Sequence, residues 1–228
     1  MNPSAVEASK QQAAEAALAW VPERGVVGLG SGSTAAFFIE ALARLVGAGR
    51  ELWGVATSME SRRLAQTLGI GLLPDAGPWS VDVCVDGADE VSRSLDLIKG
   101  GGGAHTREKI VNRAAAFNVI IVDESKLSGQ LGEKWPVPIE VLPFGVGNAQ
   151  RALERWGTVT LRERQGRAFV TDSGNYILDL HTGPLADPAF LDRQIRVVPG
   201  VVETGLFIAR ADVVVVAGEQ GIRELRPR

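Results

Sequence analysis

Short apolar runs alternate with longer stretches of 3.6-residue periodicity along the first 130 residues, a pattern typical of strands followed by helices. Strands are predicted at Val26–Gly30, Leu52–Ala56, Ile70–Leu73, Val81–Val85 and Asn118–Val122. Helices are predicted from Ser4 to Trp20, through Phe38, Leu42 and Leu45, from Thr57 to Leu68, and over Ala104–Ala116. Ser4 and Thr57 are the expected helix caps, because each precedes a glutamate by three residues. We therefore expect an α/β domain with a largely parallel sheet.

The pattern changes at Trp135–Pro138, where prolines followed by Pro143 and Gly145 predict a linker. Beyond it, the predicted strands are Ile139–Leu142, Thr158–Leu161, Ala168–Thr171, Tyr176–Leu180 and Val202–Phe207. One helix, Asn148–Trp156, is predicted after the first of these strands, and another, Pro188–Val197, before the last. A hairpin is predicted around Asp172–Asn175. This order predicts a small ferredoxin-like α+β domain. The apolar run Val213–Val216 should return to the main sheet. The expected bounds are 1–130 with 205–228 for the main domain and 131–204 for the small one.

Composition and charge exclude several classes of protein. The 228 residues, 45% of them hydrophobic, suit one large domain or a main domain with a small second one. A net charge of −3 without basic blocks argues against a nucleic-acid-binding surface. No apolar signal segment or membrane-length run occurs in the sequence, so we expect a cytoplasmic protein with no membrane partner. The single cysteine, Cys84, is expected to be a small buried residue.

A turn rich in glycine and serine joins the strand ending at Gly30 to the helix that follows. Because the first N–H groups of a helix have no partner within the helix, such a turn can bind an anion. The hydroxyls of Ser31, Ser33 and Thr34 add donors. The spacing fits neither the dinucleotide fingerprint nor the Walker loop. We interpret the turn as a cradle for one phosphate, with a plain helix cap as the alternative.

A second polar stretch begins where the apolar run Val81–Val85 ends. Asp86, Asp89 and Glu90 place three carboxylates within five residues. Lys99, the glycine run Gly100–Gly103 and a helix start containing Glu108 follow. In open parallel sheets, ligands bind beyond the carboxyl ends of the strands. Four adjacent glycines cost conformational entropy unless the backbone must approach something closely. The combination favours a site for a small polar anion, although each part alone also fits a turn, a loop or a solvated side chain.

Taken together, these motifs resemble the ribose 5-phosphate isomerases of the A type over nearly the whole chain. The resemblance is carried by Gly28–Ala35, Asp86–Glu90, Lys99–Gly102, Thr106–Ile110, Ser125-Lys126, Pro138–Val141 and Pro199–Phe207. It implies an enzyme that interconverts ribose 5-phosphate and ribulose 5-phosphate through an enediol, without metal or organic cofactor. It also implies a Rossmann-like domain with a smaller α/β domain, in a homodimer or homotetramer, and a place in the pentose phosphate pathway.

The resemblance also implies roles for individual residues. Glu108 takes the position of the proton acceptor, and Lys99, Asp86 and Asp89 are the other expected catalytic residues. Substrate-binding positions fall on Lys10, Ser31, Gly32, Ser33, Thr34, Asp86, Gly87, Ala88, Asp89, Lys99, Gly100, Gly101, Gly102 and Lys126. His105 stands where relatives commonly carry a small or apolar residue. No metal ligand is expected, because no histidine, cysteine or carboxylate cluster has metal-ligand spacing.

Two other classes share this broad fold. One is the sugar-phosphate-sensing domain of bacterial regulators, which would need a DNA-binding segment that the sequence does not supply. The other is an acyl-CoA transferase with Glu108 as nucleophile, which usually has a longer chain and a CoA site. The predicted phosphate cradle favours the isomerase over both.

Overall fold

The computed structural model describes residues 3–227, without the side chains of residues 3 and 4. Its α-helices are α1 Pro3–Ala17, α2 Ser33–Gly47, α3 Met59–Thr67, α4 His105–Ala114, α5 Val146–Leu153 and α6 Pro188–Arg196. Single 3₁₀ turns cover Leu18–Trp20, Glu124–Lys126 and Glu154–Trp156. The strands are β1 Arg24–Leu29, β2 Glu51–Ala56, β3 Gly71–Leu72, β4 Val81–Asp86, β5 Glu90–Val91, β6 Leu97–Ile98, β7 Ala115–Asp123, β8 Val137–Val141, β9 Thr158–Leu161, β10 Glu163–Arg164, β11 Arg167–Ala168, β12 Tyr176–His181, β13 Val201–Thr204, β14 Leu206–Phe207, β15 Val213–Gly218 and β16 Gly221–Leu225.

The chain forms two compact units. Unit one contains the residues up to Ala88, Arg107–Lys126, and the residues from Arg210 onward. Unit two contains Asp89–Thr106 and Leu127–Ala209. The chain thus changes unit within the acidic motif and again within the first turn of α4. The expected bounds place residues 89–106, 127–130 and 205–209 in the main domain, and they stay a prediction about domain organisation.

Unit one is built on a seven-stranded sheet in the order β16-β15-β7-β4-β1-β2-β3. Every pairing from β15 to β3 is parallel, and β16 adds an antiparallel edge strand. The predicted parallel α/β sheet is confirmed, as is the return of the Val213–Val216 run to it. The β15–β16 hairpin was not predicted, because the residues of β16 are mostly polar and exposed.

Helices cover the sheet of unit one on both faces, as expected for strands with long apolar runs. Ala13 of α1 and Phe38 of α2 pack in one core with Leu29. On the opposite face, Val111 of α4 packs against Cys84. A Cβ on Gly28 would lie 2.7 Å from the Val111 side chain, so the glycine allows α4 to approach β1 closely.

Two helix starts differ from the predicted caps. Helix α1 already includes Ser4, so this serine does not occupy the cap position. Helix α3 is capped by Ser58, whose hydroxyl accepts a hydrogen bond from the Ser61 N–H. Thr57 instead turns its hydroxyl toward the backbone of β1, where it donates to the carbonyl oxygen of Leu29 at 3.0 Å. Its position directly after a strand, rather than the spacing to a glutamate, decides its role.

Unit two contains a four-stranded antiparallel sheet in the order β13-β8-β12-β9, with α5 and α6 in the chain connections. This is the strand order of a ferredoxin-like domain, which confirms the predicted fold class. Buried apolar residues of the sheet and both helices form its core, including Ile139, Leu153, Leu178 and Ile195.

Three details of unit two correct the sequence analysis. The predicted hairpin around Asp172–Asn175 is wrong, because β11 pairs with β10 whereas β12 pairs with β8 and β9. The predicted strand Val202–Phe207 is interrupted at Gly205, and β14 pairs with β6 in a separate three-stranded sheet. The predicted linker Trp135–Pro138 contributes its last two residues to β8.

Candidate active site

The parallel strands of unit one end along one edge of the sheet, and polar residues follow them there. Leu29 at the end of β1 is in register with Val85 of β4 and with Ala56 of β2. Asp86 ends β4 and is in register with Ile120 of β7. Since β2 and β4 lie on opposite sides of β1, this is the edge at which doubly wound sheets bind ligands.

The predicted phosphate loop lies at this edge and leads into α2. Gly32 caps the 15-residue helix with a φ of 90°, a conformation that favours glycine. The carboxylate of Asp86 accepts hydrogen bonds from the N–H groups of Ser31 at 3.0 Å and Gly87 at 2.7 Å. A Cβ on Gly30 would lie 2.6 Å from the Cα of Asp86, so only glycine fits there. Asp86 therefore holds the loop that precedes the helix.

Hydroxyl groups fix the loop from its other side. The Ser31 and Thr57 hydroxyl oxygens are 2.7 Å apart, and Thr57 uses its hydrogen on the Leu29 carbonyl. Ser31 must therefore donate to Thr57. The hydroxyl of Ser61 donates to the Gly30 carbonyl at 2.6 Å. Both donors of Ser31 are engaged within the protein, so its side chain shapes the loop.

A lysine from α1 contacts the start of α2. The ammonium group of Lys10 donates to the Ser33 hydroxyl at 2.9 Å. A cavity of about 480 Å³ adjoins this pair, lined by Val6, Glu7, Lys10, Ser33, Ala36, Phe37 and Glu40. The lysine charge adds to the positive end of the helix dipole, and the combination suits a phosphate group.

Glu108 lies in the first turn of α4 and is only 5% exposed. The opposite end of this helix is held by Arg210, whose guanidinium donates to the side chain and the backbone carbonyl of Asn112, both at 2.9 Å. Burial, together with the neighbouring charge of Arg113, lowers the pKa of Arg210. The buried carboxylate is thus carried by a helix fixed at its C-terminal end.

Lys126, the remaining predicted residue of unit one, follows β7. Asp123, the last residue of β7, is 1% exposed and accepts hydrogen bonds from the N–H and the hydroxyl of Ser125. These bonds turn the chain into the 3₁₀ turn that ends at Lys126. The side chain of Lys126 is half-buried.

In unit two, a short hairpin brings Asp89 and Lys99 together although they are ten positions apart in the sequence. Glu90 of β5 is paired with Ile98 of β6, so the two residues continue the hairpin side by side. The Lys99 side chain is buried, with its ammonium 5.4 Å from the centre of the Phe207 ring. This distance allows a cation–π contact.

The glycine run Gly100–Gly103 follows directly, and its neighbours explain three of the four glycines. A Cβ on Gly100 would lie 2.6 Å from the His105 ring, and one on Gly103 would lie 2.3 Å from the Phe169 ring. The Gly101 N–H donates to Asp89 at 2.7 Å, and a Cβ there would meet the same carboxylate. Gly102 has open space around it. His105, whose role the sequence left open, therefore packs against the glycine run.

A buried carboxylate lies near the start of α4 within unit two. Glu140 of β8 is 1% exposed and accepts hydrogen bonds from Thr171 at 3.0 Å and Asn175 at 2.8 Å. It also accepts one from Thr106, the second residue of α4, at 2.5 Å. Three donors compensate the burial of this charge, which fixes the first turn of the helix.

The predicted site residues therefore fall into two groups. Unit one brings together Lys10, Ser31, Gly32, Ser33, Thr34, Asp86, Gly87 and Ala88 at its sheet edge and phosphate loop, and it also contains Glu108 and Lys126. Unit two brings together Asp89, Lys99, Gly100, Gly101 and Gly102. Sequence reasoning gave no role in the site to Thr57, to Glu140 or to Arg162, whose guanidinium donates to the Gly100 carbonyl at 2.6 Å. Thr57 could have been found as a polar residue directly after a strand, and Glu140 lies in Pro138–Val141, one of the motifs that carry the resemblance. Arg162 lies outside those motifs.

Two classes of feature were not found in the described part of the chain. Between residues 3 and 227, no group of three or more histidine, cysteine or carboxylate side chains could hold a metal ion. Within the same range, no helix is long and apolar enough to cross a membrane.

Comparison with known proteins identifies the relatives of this chain. The family model described as ribose 5-phosphate isomerase A (phosphoriboisomerase A) matches residues 53–221. Proteins named ribose-5-phosphate isomerase A from Gloeobacter violaceus and Desulfatibacillum aliphaticivorans are 50% and 47% identical to it, each over 96% of this chain and at least 96% of their own length.

Solved structures agree with these matches. Ribose 5-phosphate isomerase A from Methanocaldococcus jannaschii is similar with a TM-score of 0.90 and 41% identity, covering 96% of this chain and 99% of its own. A D-ribose-5-phosphate isomerase in complex with phospho-erythronic acid is similar with a TM-score of 0.94 and 37% identity, covering 99% of this chain and 100% of its own.

Proposed function

The chain belongs to the ribose 5-phosphate isomerase A family, and from this premise we propose how its residues interconvert D-ribose 5-phosphate and D-ribulose 5-phosphate. It is an aldose–ketose isomerase, so the reaction moves a proton between C2 and C1 through an enediol. The single observation that carries the proposal is the loop that Asp86 shapes before α2, with Lys10 bonded to the first residue of that helix, at the ligand-binding edge of the sheet. The roles of individual residues rest on the match to the family motifs together with the local geometry.

The phosphate group binds at the start of α2. The N–H groups of the first turn, the Ser33 and Thr34 hydroxyls and the Lys10 ammonium supply donors and positive charge. Ser31 contributes by keeping the loop in shape, through its bonds to Asp86 and Thr57. Lys126 adds a second cation at a substrate-binding position of the family. Holding the phosphate fixes the reacting carbons in register with the catalytic groups.

Glu108 acts as the base that takes the proton from C2 and returns it to C1. A carboxylate beside both carbons can perform both transfers, and such general acid–base catalysis contributes about 10²–10⁴-fold. Its burial and its place on a fixed helix favour a defined orientation. The remaining acids, Asp86 and Asp89, hold sugar hydroxyls and assist opening of the furanose ring.

The oxygen that becomes negative in the enediolate is stabilised by Lys99 and the amides of the glycine run. Donors aimed at developing charge are among the largest contributions to catalysis, and losing one typically costs about 10²–10³-fold. The amides are not equivalent in this structure. The Gly101 N–H is engaged with Asp89, whereas the N–H of the exposed Gly102 has no hydrogen-bond partner among the described residues. We assign the exposed Gly102 amide as the principal backbone donor.

The ligand of a solved relative supports an enediolate intermediate by its chemistry. Phospho-erythronic acid is a phosphorylated hydroxy acid, and that isomerase binds it. Its carboxylate carries negative charge at one end and its phosphate at the other, as an enediolate intermediate does. An enzyme that stabilises the enediolate through fixed donors is expected to bind such a mimic tightly.

We further propose the cellular setting implied by the family. The enzyme works without a resident metal or organic cofactor, in the cytoplasm, in the non-oxidative pentose phosphate pathway. It binds a small sugar phosphate and neither nucleic acid nor membrane. Its assembly is a homodimer, with a homotetramer as the alternative, and analytical ultracentrifugation distinguishes these two states.

A coupled assay for ribulose 5-phosphate tests the proposed reaction. Purified protein should convert ribose 5-phosphate to ribulose 5-phosphate, and the reverse reaction should reach the same equilibrium ratio. A sugar-phosphate sensor would bind the substrate without turnover. An acyl-CoA transferase would transfer label between an acyl-CoA and a free acid. Either of those results with no ketose formed would refute the isomerase proposal.

A further inference from the structure

Arg162 is the residue outside the motifs that contacts the glycine run most directly. It lies between β9 and β10, and its guanidinium donates to the carbonyl oxygens of Gly100 at 2.6 Å and Gly101 at 3.2 Å. Both carbonyls belong to the run to which we assign stabilisation of the enediolate. A residue more than 60 positions away in the sequence thus determines how two of its peptide groups point.

The guanidinium is itself held in place. Its Nε and Nη2 donate to the two carboxylate oxygens of Asp179 at 2.9 and 2.5 Å, a bidentate pair. The two side chains are only 16% and 14% exposed. Bidentate pairing fixes the plane of the guanidinium, which a lysine could not reproduce. Asp179 lies on β12, a central strand of the antiparallel sheet, so the anchor is rigid.

The backbone around Arg162 reinforces this arrangement. Its N–H donates to the Ile177 carbonyl and its carbonyl accepts from the Phe169 N–H, each at 2.8 Å. The ring of Phe169 occupies the space that a side chain at Gly103 would need. The same segment therefore holds the glycine run at both ends, at Gly100 through the guanidinium and at Gly103 through the ring.

Charge gives the contact a consequence beyond shape. A cation on a carbonyl oxygen draws electron density through the peptide group and makes the N–H at its other end a stronger donor. The carbonyl of Gly100 shares a peptide group with the Gly101 N–H, which binds Asp89. The carbonyl of Gly101 shares one with the Gly102 N–H, the exposed amide.

From these contacts we propose that Arg162, anchored by Asp179, is a positioning residue that orients and polarises the glycine-run amides for the enediolate. This inference rests on the proposed function and deepens it. Arg162 holds the carbonyl ends of the peptide groups. The N–H of Gly102, at the other end of the second peptide group, donates to the developing oxyanion. Lys99 directly precedes the run in the sequence.

Three variants test the proposal: Arg162→Met, Arg162→Lys and Asp179→Asn. Removing an oxyanion donor typically costs about 10²–10³-fold, and a displaced donor should cost less. We expect kcat for Arg162→Met to fall about 10–10²-fold while KM for ribose 5-phosphate stays within about threefold. Arg162→Lys should recover part of the loss, because it restores charge without the bidentate fork.

Arg196→Met is the matched control. Arg196 lies in the same unit, pairs with Asp192 and Glu203, and makes no contact with the glycine run among the residues the structure describes. The variant should lose both ion pairs, and some thermal stability, with kcat unchanged. A fall in kcat for Arg162→Met no larger than that for Arg196→Met would overturn the proposal.

Inhibition by phospho-erythronic acid separates positioning from a merely structural role. If Arg162 orients oxyanion donors, the inhibition constant of Arg162→Met should rise by about the factor by which its kcat/KM falls. The ratio of the inhibition constant to KM should therefore increase about tenfold or more over the wild-type ratio. A structural residue would leave that ratio unchanged. Asp179→Asn keeps the volume of the side chain and should shift the ratio in the same direction, by a smaller factor. An unchanged ratio in both Arg162→Lys and Asp179→Asn would refute the inference.

A double variant tests whether Asp179 acts through Arg162. Arg162→Met combined with Asp179→Asn should be no slower than Arg162→Met alone, because the anchor has nothing left to hold. If the two single losses of kcat add in the double variant, Asp179 does not act through Arg162. The wild-type assay is read first: no ketose from the wild type refutes the proposed function, whereas an active wild type with unaffected variants refutes this inference only.

Discussion

Two loops of this enzyme present backbone amides, and they are built by different means. The loop before α2 leads into a 15-residue helix, so its amides are aligned by regular structure and carry the helix dipole. The glycine run 100–103 belongs to no helix or strand. Its amides are aligned by side chains that arrive from elsewhere: Asp89, His105, Arg162 and Phe169.

The difference matches the charge that each loop is proposed to bind. A phosphate carries its charge throughout the reaction, so a permanent helix terminus suits it and contributes equally to ground and transition states. The enediolate is charged only during the reaction. In the glycine run, individual side chains orient the peptide groups, so the N–H groups can point at the one position where the enediolate oxygen becomes charged. The comparison predicts that damage to the first loop changes KM and damage around the second changes kcat.

Replacing Glu108 by Gln should have the largest effect, because it removes the proton acceptor and keeps the shape. We expect kcat to fall by about 10²–10⁴-fold with little change in KM. Exchange of the C2 proton of bound ribose 5-phosphate into solvent should be abolished. The control is Glu51→Gln, at the exposed first residue of β2 and so at the opposite edge of the sheet, which should exchange like the wild type. Exchange at the wild-type rate in Glu108→Gln would move the base to Asp86 or Asp89.

Loss of a phosphate contact should come next and should affect KM. Lys10→Ala or Thr34→Val should raise KM for ribose 5-phosphate by about 10–10²-fold, the equivalent of one hydrogen bond to a charged group. The value of kcat should change little, because the contact is made in both states. Free ribose should be a very poor substrate of the wild type. Comparable kcat/KM values for ribose and ribose 5-phosphate would disprove the phosphate cradle.

A pair of glycine variants compares the rigidity of the two loops. In Gly30→Ala the new methyl group would meet the backbone of Asp86, which cannot move aside. Such overpacking costs about 1–3 kcal/mol, which lowers the melting temperature by about 2–12 °C in a protein of this size. Gly102→Ala meets no neighbour within 4 Å and should melt like the wild type. The measurement is the melting temperature of both variants by calorimetry. Equal melting temperatures would contradict the expectation that Gly30 tolerates a methyl group less well than Gly102.

Thr57→Val should have a smaller effect that reveals the hydroxyl network. It removes the acceptor of the Ser31 hydroxyl and leaves the Leu29 carbonyl without this donor. We expect KM to rise about 2- to 10-fold, the equivalent of one net hydrogen bond, with kcat nearly unchanged. Thr67→Val on the exposed end of α3 is the matched control, since its hydroxyl bonds only within its own helix. A KM equal to that of the control would show that the network does not shape the loop.

Metal removal should have no effect. The proposed oxyanion partners are Lys99 and backbone amides, so turnover should survive extensive dialysis against EDTA. The measurement is the coupled assay before and after dialysis, with a sample to which divalent ions are returned. Activity lost on dialysis and restored by one ion would show that the enediolate is stabilised by a metal.

The local pattern of the chain determined most of the main sheet and the phosphate loop. Apolar runs such as Val213–Val216 can be buried on both faces only in a parallel sheet covered by helices, so sequence alone indicated their place. The turn at Ser31–Thr34 could be identified in the same way, because strand, turn and helix are contiguous. The fold class of the small domain could be predicted from the order of its elements. The pairings of β11 with β10 and of β14 with β6 could not.

Tertiary structure alone decided what supports the reactive groups. Thr57 was expected to cap α3 and instead bonds to Ser31, because the parallel register places the ends of β1 and β2 side by side. Arg162 reaches the glycine run, and Glu140 reaches Thr106, across 61 and 34 positions respectively. Contacts over such distances depend on how sheets and loops pack, and a periodic pattern contains only local spacing. The sequence therefore indicates the residues that we propose to react, whereas the contacts that support them are visible only in the folded chain.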